Sequence, residues 1–442
     1  MKSKLFLLFV IGIMLLTACQ AATPTLPPAA PTQAAPAATQ AAPEATKPPT
    51  AAPQSAAPVE ITYMMWGAPE ELQVWQAIVD DFQAANPNIK VKVDVSDWDS
   101  YWTKLNTLFA GGTPPDVFAM DAPLYLDWQS RGVLLDLTPY IKATPGFFDG
   151  LYDQPVQSYK VGDSYFGLPR DCQTIVLFYN KDMFDKAGVA YPTDKWTMTD
   201  LREAAKKLTL DTNKDGKIEQ YGMYMDPWDM EIFWSEAIWG YGGDIISADH
   251  TKTLIGDAKA RQAWQLIYDM MRTDKSVPDP NTTTQYGSDL FQAGVAAMTT
   301  IGHWAVPGYA TTNFKWDVAP MPSGPAGRAT SINSAGFVVA KDTKQPDTAW
   351  EFIKFALSQK EQTRLAELGF AIPIYKAVAN SPAFLDQKTV KINEQVFLDA
   401  MSYAHVKPIF KGYDAWAAAV GDGLTPVWNG EAELGPTLDE VV

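Results

Sequence analysis

The chain has 442 residues, 47% hydrophobic and 19% charged, with 35 Lys and Arg against 51 Asp and Glu and a net charge of −16. At ~150 residues per domain there is room for about two or three domains, each able to bury an ordinary core without disulfides or metals. The acidity, with no block of basic residues, excludes a phosphate-gripping nucleic-acid protein; two Cys exclude a disulfide scaffold, and three scattered His exclude a His-rich metal centre. The composition leaves one excess to be explained, 15 Trp beside 18 Tyr and 20 Phe.

Lys2 and Lys4 precede an apolar run over residues 5–16. The run is shorter than the ~20 residues of a spanning helix and reads as a secretory signal. It ends Leu16-Thr17-Ala18-Cys19, which resembles the bacterial lipobox, so cleavage after residue 18 and lipidation of Cys19 are expected. Residues 20–58 are almost all Ala, Pro, Thr and Gln, with only Glu44 and Lys47 charged. Such a segment cannot bury enough apolar surface to fold, and its Pro content favours an extended tether. The expectation is an exported domain, lipid-anchored to the outer face of the cytoplasmic membrane.

From residue 59 strands and helices alternate. VEITYMMW (59–66) is a strand; residues 70–86 carry Leu72, Trp75, Ile78, Val79 and Phe82 at helical spacing, stopping at Pro87. Residues 89–95 alternate Ile/Val with Lys/Asp as a half-buried strand, 100–110 read as a helix ended by Gly111-Gly112, and 115–120 as a strand. This β-α-β-α-β order predicts an α/β domain with a largely parallel sheet, whose ligands sit beyond the carboxyl ends of the strands. Trp66 and Asp121 occupy those ends. Further strands are predicted over 174–179 and 337–340, with helices over 200–208, 258–273, 346–357 and 360–369 and a mostly helical C-terminus. Asp116, after Pro114-Pro115, is assigned to turn chemistry.

The segments AGGTPPDVF (110–118), GLP (167–169), YNKD (179–182), FQAG (291–294) through Met298, GHW (302–304), APMP (319–322) and AWEFIKF (349–355) come in a characteristic order. In this order the chain resembles the extracellular solute-binding proteins of sugar-importing ABC transporters, the maltose-binding-protein-like family 1. The resemblance implies a two-lobed periplasmic-binding-protein fold of type II that closes about a hinge. It places chain crossings near 171–174, 318–320 and 365–373. One lobe then comprises 59–171 with 320–365, the other 172–319 with 366–442. It also implies a monomeric, non-enzymatic protein that passes a sugar or oligosaccharide to an ABC permease.

A sugar has apolar faces for aromatic rings and hydroxyls for Asp, Asn and Arg. The resemblance puts Trp66, Trp228, Trp234, Trp239, Tyr241 and Trp304 in the cleft, with Trp304 as the principal stacking ring. Asp121 and Asp171 are the expected hydroxyl acceptors, with Asn333 and Arg328 beside them. Trp75, Trp264 and Trp350 lie on amphipathic helices and are expected in the core. Residues 211–222 match the front of a calcium loop, with Asp211, Asn213, Asp215, the Lys217 carbonyl and Glu219 as ligands, but Gly222 stands where the bidentate Glu belongs. No cofactor is otherwise expected. Enzyme motifs are lacking: no nucleophile elbow, no His-Glu-x-x-His and no phosphate loop occur, and Cys172 reads as a core residue. Other readings of the same residues are a binding protein for a glycerol phosphodiester or a peptide, a surface adhesin, and a glycoside hydrolase using two of the many acids.

Overall fold

The computed structural model describes residues 58–227, 229–286, 289–388 and 390–442. Trp228 and the first 57 residues, with the expected signal, Cys19 and most of the tether, lie outside the described residues. None of the described helices is long and apolar enough to cross a membrane.

The strands in chain order are β1 (Val59–Trp66), β2 (Ile89–Ser96), β3 (Val117–Asp121), β4 (Lys160–Val161), β5 (Ser164–Tyr165), β6 (Gly167–Pro169), β7 (Gln173–Thr174), β8 (Val176–Asn180), β9 (Met298–Ile301), β10 (Trp316–Ala319), β11 (Thr330–Asn333), β12 (Ala335–Val339) and β13 (Ala404–Val406). The first lobe is built on a five-stranded sheet ordered β2-β1-β3-β12-β6. β1 runs parallel to β2 and β3, whereas β12 is antiparallel to β3 and β6. β3 is buried along its whole length, as a strand covered on both faces must be. Asp116 ties the layer together: its Oδ2 accepts from the Thr62 amide at 2.8 Å, and its Oδ1 accepts from Thr343 Oγ1 at 2.5 Å.

The predicted helices form for the reasons the sequence suggests. In α1 (Pro69–Ala85), Val74, Trp75, Ile78, Val79 and Phe82 make one buried stripe, and Glu71 Oε1 accepts from the exposed Ala68 amide at 3.1 Å. α2 (Trp98–Ala110) starts earlier than the predicted residue 100, because Asp97 caps it by accepting from the Ser100 amide at 3.0 Å. Trp75, Tyr63 and Phe337 interlock beneath the sheet, with the Trp75 and Tyr63 rings 5.5 and 5.4 Å from Phe337. Each such buried ring contributes roughly 1.5–3 kcal/mol of transfer free energy.

The second lobe has an antiparallel sheet ordered β10-β8-β9. Between the lobes lies a small sheet ordered β13-β11-β7. The chain passes out of the first lobe through β7, between β6 and β8, and returns through β11, between β10 and β12. The return lies at 333–335, later than the 318–320 expected from sequence. Residues 320–329 ride with the second lobe instead: Ser323 exchanges backbone hydrogen bonds with Trp196 and Met198, and the Ala326 amide donates to the Gly240 carbonyl at 2.9 Å. The C-terminal helix Tyr413–Asn429 touches both lobes. Asp127 receives the Gly412 amide at 2.7 Å at its start, and Trp428 packs on Trp264 at 6.0 Å at its end.

The docking of residues 320–329 depends on Gly324, where a Cβ would lie 2.2 Å from the Gly240 carbonyl oxygen. Gly324→Ala is expected to cost about 1–3 kcal/mol in urea unfolding, through a backbone contact that cannot be relieved by a rotamer change.

Candidate functional site

β3 ends at Asp121, in the first lobe. In the second lobe a turn of π-helix, Met230–Trp234, carries Glu231, whose amide donates to Asp229 Oδ1 at 2.8 Å. The Thr300 hydroxyl of β9 donates to the Ile232 carbonyl and holds this turn against the second sheet. β11 supplies Asn333, and the residue after β13 is Lys407. These four side chains meet. Asn333 Nδ2 donates to Asp121 Oδ1 at 2.7 Å and lies 3.2 Å from Glu231 Oε2. Lys407 Nζ donates to Glu231 Oε2 at 2.8 Å and sits 3.5 Å from Asp121 Oδ2. The cluster therefore joins both lobes and the connecting sheet, and each member is less than a tenth exposed.

Burial alone would push the Lys407 ammonium down, but the Asp121 and Glu231 carboxylates outweigh it and hold the group well above its ordinary value. Burial also raises Glu231 and Asp229, with Lys407 opposing both. One cation thus faces an excess of acids. Glu231 Oε1 is buried with no hydrogen-bond partner among the described residues. A buried acceptor without a donor costs roughly 1–3 kcal/mol, so the site favours a ligand that brings hydroxyl or amine donors.

The other predicted site residues fall into two groups. Trp66 is half-buried at the end of β1, with the Arg170 guanidinium 5.1 Å from its ring. Trp304 is half-buried after β9, its ring lying over Gly302 so closely that a Cβ there would be 1.8 Å from the ring. Tyr241 is half-buried after the helix Ser235–Gly240. These three keep ring surface for a ligand.

The remainder are engaged within the protein. Asp171 is sealed in, accepting from Arg170 Nε at 3.2 Å and the Ala335 amide at 3.0 Å, so it braces the passage between lobes and presents no oxygen to a ligand. Burial raises its carboxyl to about 6. Arg328 donates to the carbonyls of Met321 and Asp194, pinning the return segment. Trp234 stacks on Trp264 at 4.9 Å in the core, and Trp239 lies flat on His405 at 4.6 Å.

Glu231 and Lys407 were not singled out from sequence. Glu231 sits inside the aromatic segment 228–234 that was, so proximity to Trp228 and Trp234 was its one signal. Lys407 follows a strand in a region read as helical and had none. A concavity of about 330 Å³ in the second lobe, lined by Lys181, Tyr309, Phe314 and Trp316 among others, shares no residue with the cluster.

The loop 211–219 lies apart from this site. Carboxylate oxygens of Asp211, Asp215 and Glu219 lie within 4.8 Å of one another. The loop also closes on itself: Glu219 accepts from the Thr212 amide at 2.7 Å and Asn213 Nδ2 at 2.9 Å, Asp211 from the Gly216 amide, and Asp215 from the amide of Lys217. Beneath β11, Glu236 is wholly buried and accepts from the Ser331 amide at 3.0 Å. Ser235 Oγ lies 2.9 Å from Glu236 Oε2, to which it can donate, and 2.7 Å from the Met230 carbonyl, which also receives the Ser235 amide. Burial pushes Glu236 up to about 8, outweighing hydrogen bonds that favour the charged form.

Residues 67–363 match the family described as bacterial extracellular solute-binding protein. The galactooligosaccharide-binding protein of Bacillus subtilis is 25% identical over 323 residues, 70% of this chain and 72% of that one. The structure is similar to an ABC substrate-binding protein from Listeria monocytogenes in complex with cycloalternan, with a TM-score of 0.80 and 28% identity over 87% of this chain and 97% of that one. The maltose/maltodextrin-binding domain of Bdellovibrio bacteriovorus, bound to maltotriose, has the same fold, with a TM-score of 0.75 and 18% identity over 87% and 97% of the two chains.

Two variants probe the charges. Lys407→Met leaves Asp121 and Glu231 buried without their cation and is expected to cost about 3–5 kcal/mol at neutral pH by urea unfolding. For Glu236, the folded state holds its proton to about pH 8 while the unfolded state releases it near 4.5. Stability from this group is therefore complete below 4.5 and lost as the pH rises toward 8. Glu236→Gln lacks that loss, so urea midpoints should show the variant gaining on the natural protein between about pH 5 and pH 8.

Proposed function

Because the chain belongs to the bacterial extracellular solute-binding protein family, we propose that it captures a sugar or oligosaccharide between its lobes and delivers it to the permease of an ABC importer. The observation that carries this reading is the buried cluster of Asp121, Glu231, Asn333 and Lys407, drawn from both lobes and the connecting strands, with Glu231 Oε1 lacking a donor. A sugar hydroxyl supplies such a donor, and the half-buried rings of Trp66 and Trp304 supply faces for the C–H side of the ring. A ligand that touches both lobes stabilises their closed arrangement by its differential affinity. The relatives' sugar ligands support the same assignment.

Charged ligands fit less well. Arg170 is taken by Asp171 and Tyr63, Arg328 by backbone carbonyls, and Lys407 by two carboxylates. A phosphodiester would have to displace one of these pairings. The proposal needs no cofactor and no bond-breaking step: the oligosaccharide leaves intact, and release of reducing ends by the purified protein would count against it. The acidic chain is held at the outer face of the cytoplasmic membrane by a lipid on Cys19 and the spacer 20–58.

Three measurements test this. In a thermal-shift screen, a bound sugar at 100 times its Kd adds about 2.7 kcal/mol of stability and raises the Tm. Silence toward mono- and oligosaccharides, with a response to glycerol phosphodiesters or peptides, defeats the sugar reading. Trp304→Ala should weaken sugar binding by about 1–3 kcal/mol in calorimetry, and unchanged affinity removes Trp304 from the site. Cys19→Ser should move the protein from the membrane fraction to the soluble one.

A further inference from the structure

Three large apolar side chains are exposed among the described residues, and Trp98 is the one aromatic among them, with 43% of its surface in solvent. Its position is set by the start of a helix and two neighbouring rings. It is the first residue of α2, directly after the Asp97 cap. The Trp66 ring stands edge-on 5.0 Å away, and the Trp102 ring 5.3 Å away.

The sheet fixes where this platform lies relative to the polar cluster. β2, β1 and β3 are adjacent, and Trp66 at the end of β1 is in register with Ser96 at the end of β2. Asp121, Trp66 and Trp98 therefore follow one another along the carboxyl edge of three neighbouring strands. Adjacent strands are ~4.8 Å apart, so Trp98 starts about 10 Å from the strand that carries Asp121. A single pyranose ring held at Asp121 and Glu231 does not reach that far, whereas a chain of rings does. An exposed aromatic ring on the same sheet edge as a cluster of acceptors suits the apolar face of a later ring.

We infer that Trp98 is the platform of an outer subsite and that the ligand is an oligosaccharide whose inner ring is held at the Asp121–Glu231 cluster while an outer ring stacks on Trp98. This rests on the sugar reading above and narrows it to ligands of more than one ring.

The test is calorimetry of the full mature chain with glucose, maltose and maltotriose, with mannose, mannobiose and mannotriose, and with galactose and its di- and trisaccharides. The natural protein should bind one series more tightly as it lengthens, by about tenfold or more from shortest to longest binder. In Trp98→Ala that gain with length should collapse, and Trp98→Phe should restore most of it. Because Trp98 is exposed, the Tm of the unliganded variants should stay near that of the natural protein, which separates a binding role from a folding one. Affinity independent of chain length, or a gain with length that survives Trp98→Ala, overturns the outer subsite while leaving sugar binding intact. Binding of none of these sugars overturns the sugar reading and the subsite with it.

Discussion

The arrangement of the two lobes turns on one buried ammonium. Lys407 touches Glu231 from the second lobe and lies within ion-pair distance of Asp121 from the first. Taking a charge out of water costs several kcal/mol, which the Coulomb attraction offsets only when partners and geometry are both in place. The pairing is therefore a weak source of net stability but a strong constraint on position. Asn333 reinforces it, its amide reaching toward the same two carboxylates. Because the acids outnumber the cation, the cluster is left with acceptor capacity.

The strands that join the lobes handle charge differently. Where the chain first crosses, Asp171 is matched by Arg170, and Arg170 is further enclosed by Tyr63 and the rings of Trp66 and Trp75. Beneath the return strand, burial pushes Glu236 up to about 8, against hydrogen bonds from Ser331 and Ser235 that favour its charged form. Hinge acids are thus held by neighbouring groups, although Gln173 Oε1 and Ser331 Oγ on the connecting strands, like Glu231 Oε1 in the cluster, have no hydrogen-bond partner among the described residues.

The tryptophans divide by burial. Trp75, Trp264 and Trp428 are wholly enclosed and serve packing. Trp234 and Trp239 have their faces covered by Trp264 and His405. Trp66, Trp304 and Trp98 keep part of their surface open. Family membership and the fold's two-lobed outline were legible in the sequence, because short motifs at strand ends and hinge turns keep their order along the chain. The site was legible in part. Asp121 could be named because it follows a predicted strand, and Asn333 from a segment that reads as a loop and folds as the end of β11, but Asp171 could not be told from a ligand group, since its partner Arg170 and the Ala335 amide come together only in three dimensions.

Sequence alone therefore determined the class of the protein: an α/β chain with its first strands and helices set by periodicity and by Pro, Gly and Asp caps. Those are local properties, decided by residues a few positions apart. Which acids stay charged, which Trp faces are covered, and where the chain returns between lobes were decided by the tertiary structure. Each depends on contacts between residues far apart in sequence, such as Asp121 with Lys407 and Gly324 with Gly240, and on the loss of water that makes an unmatched charge costly.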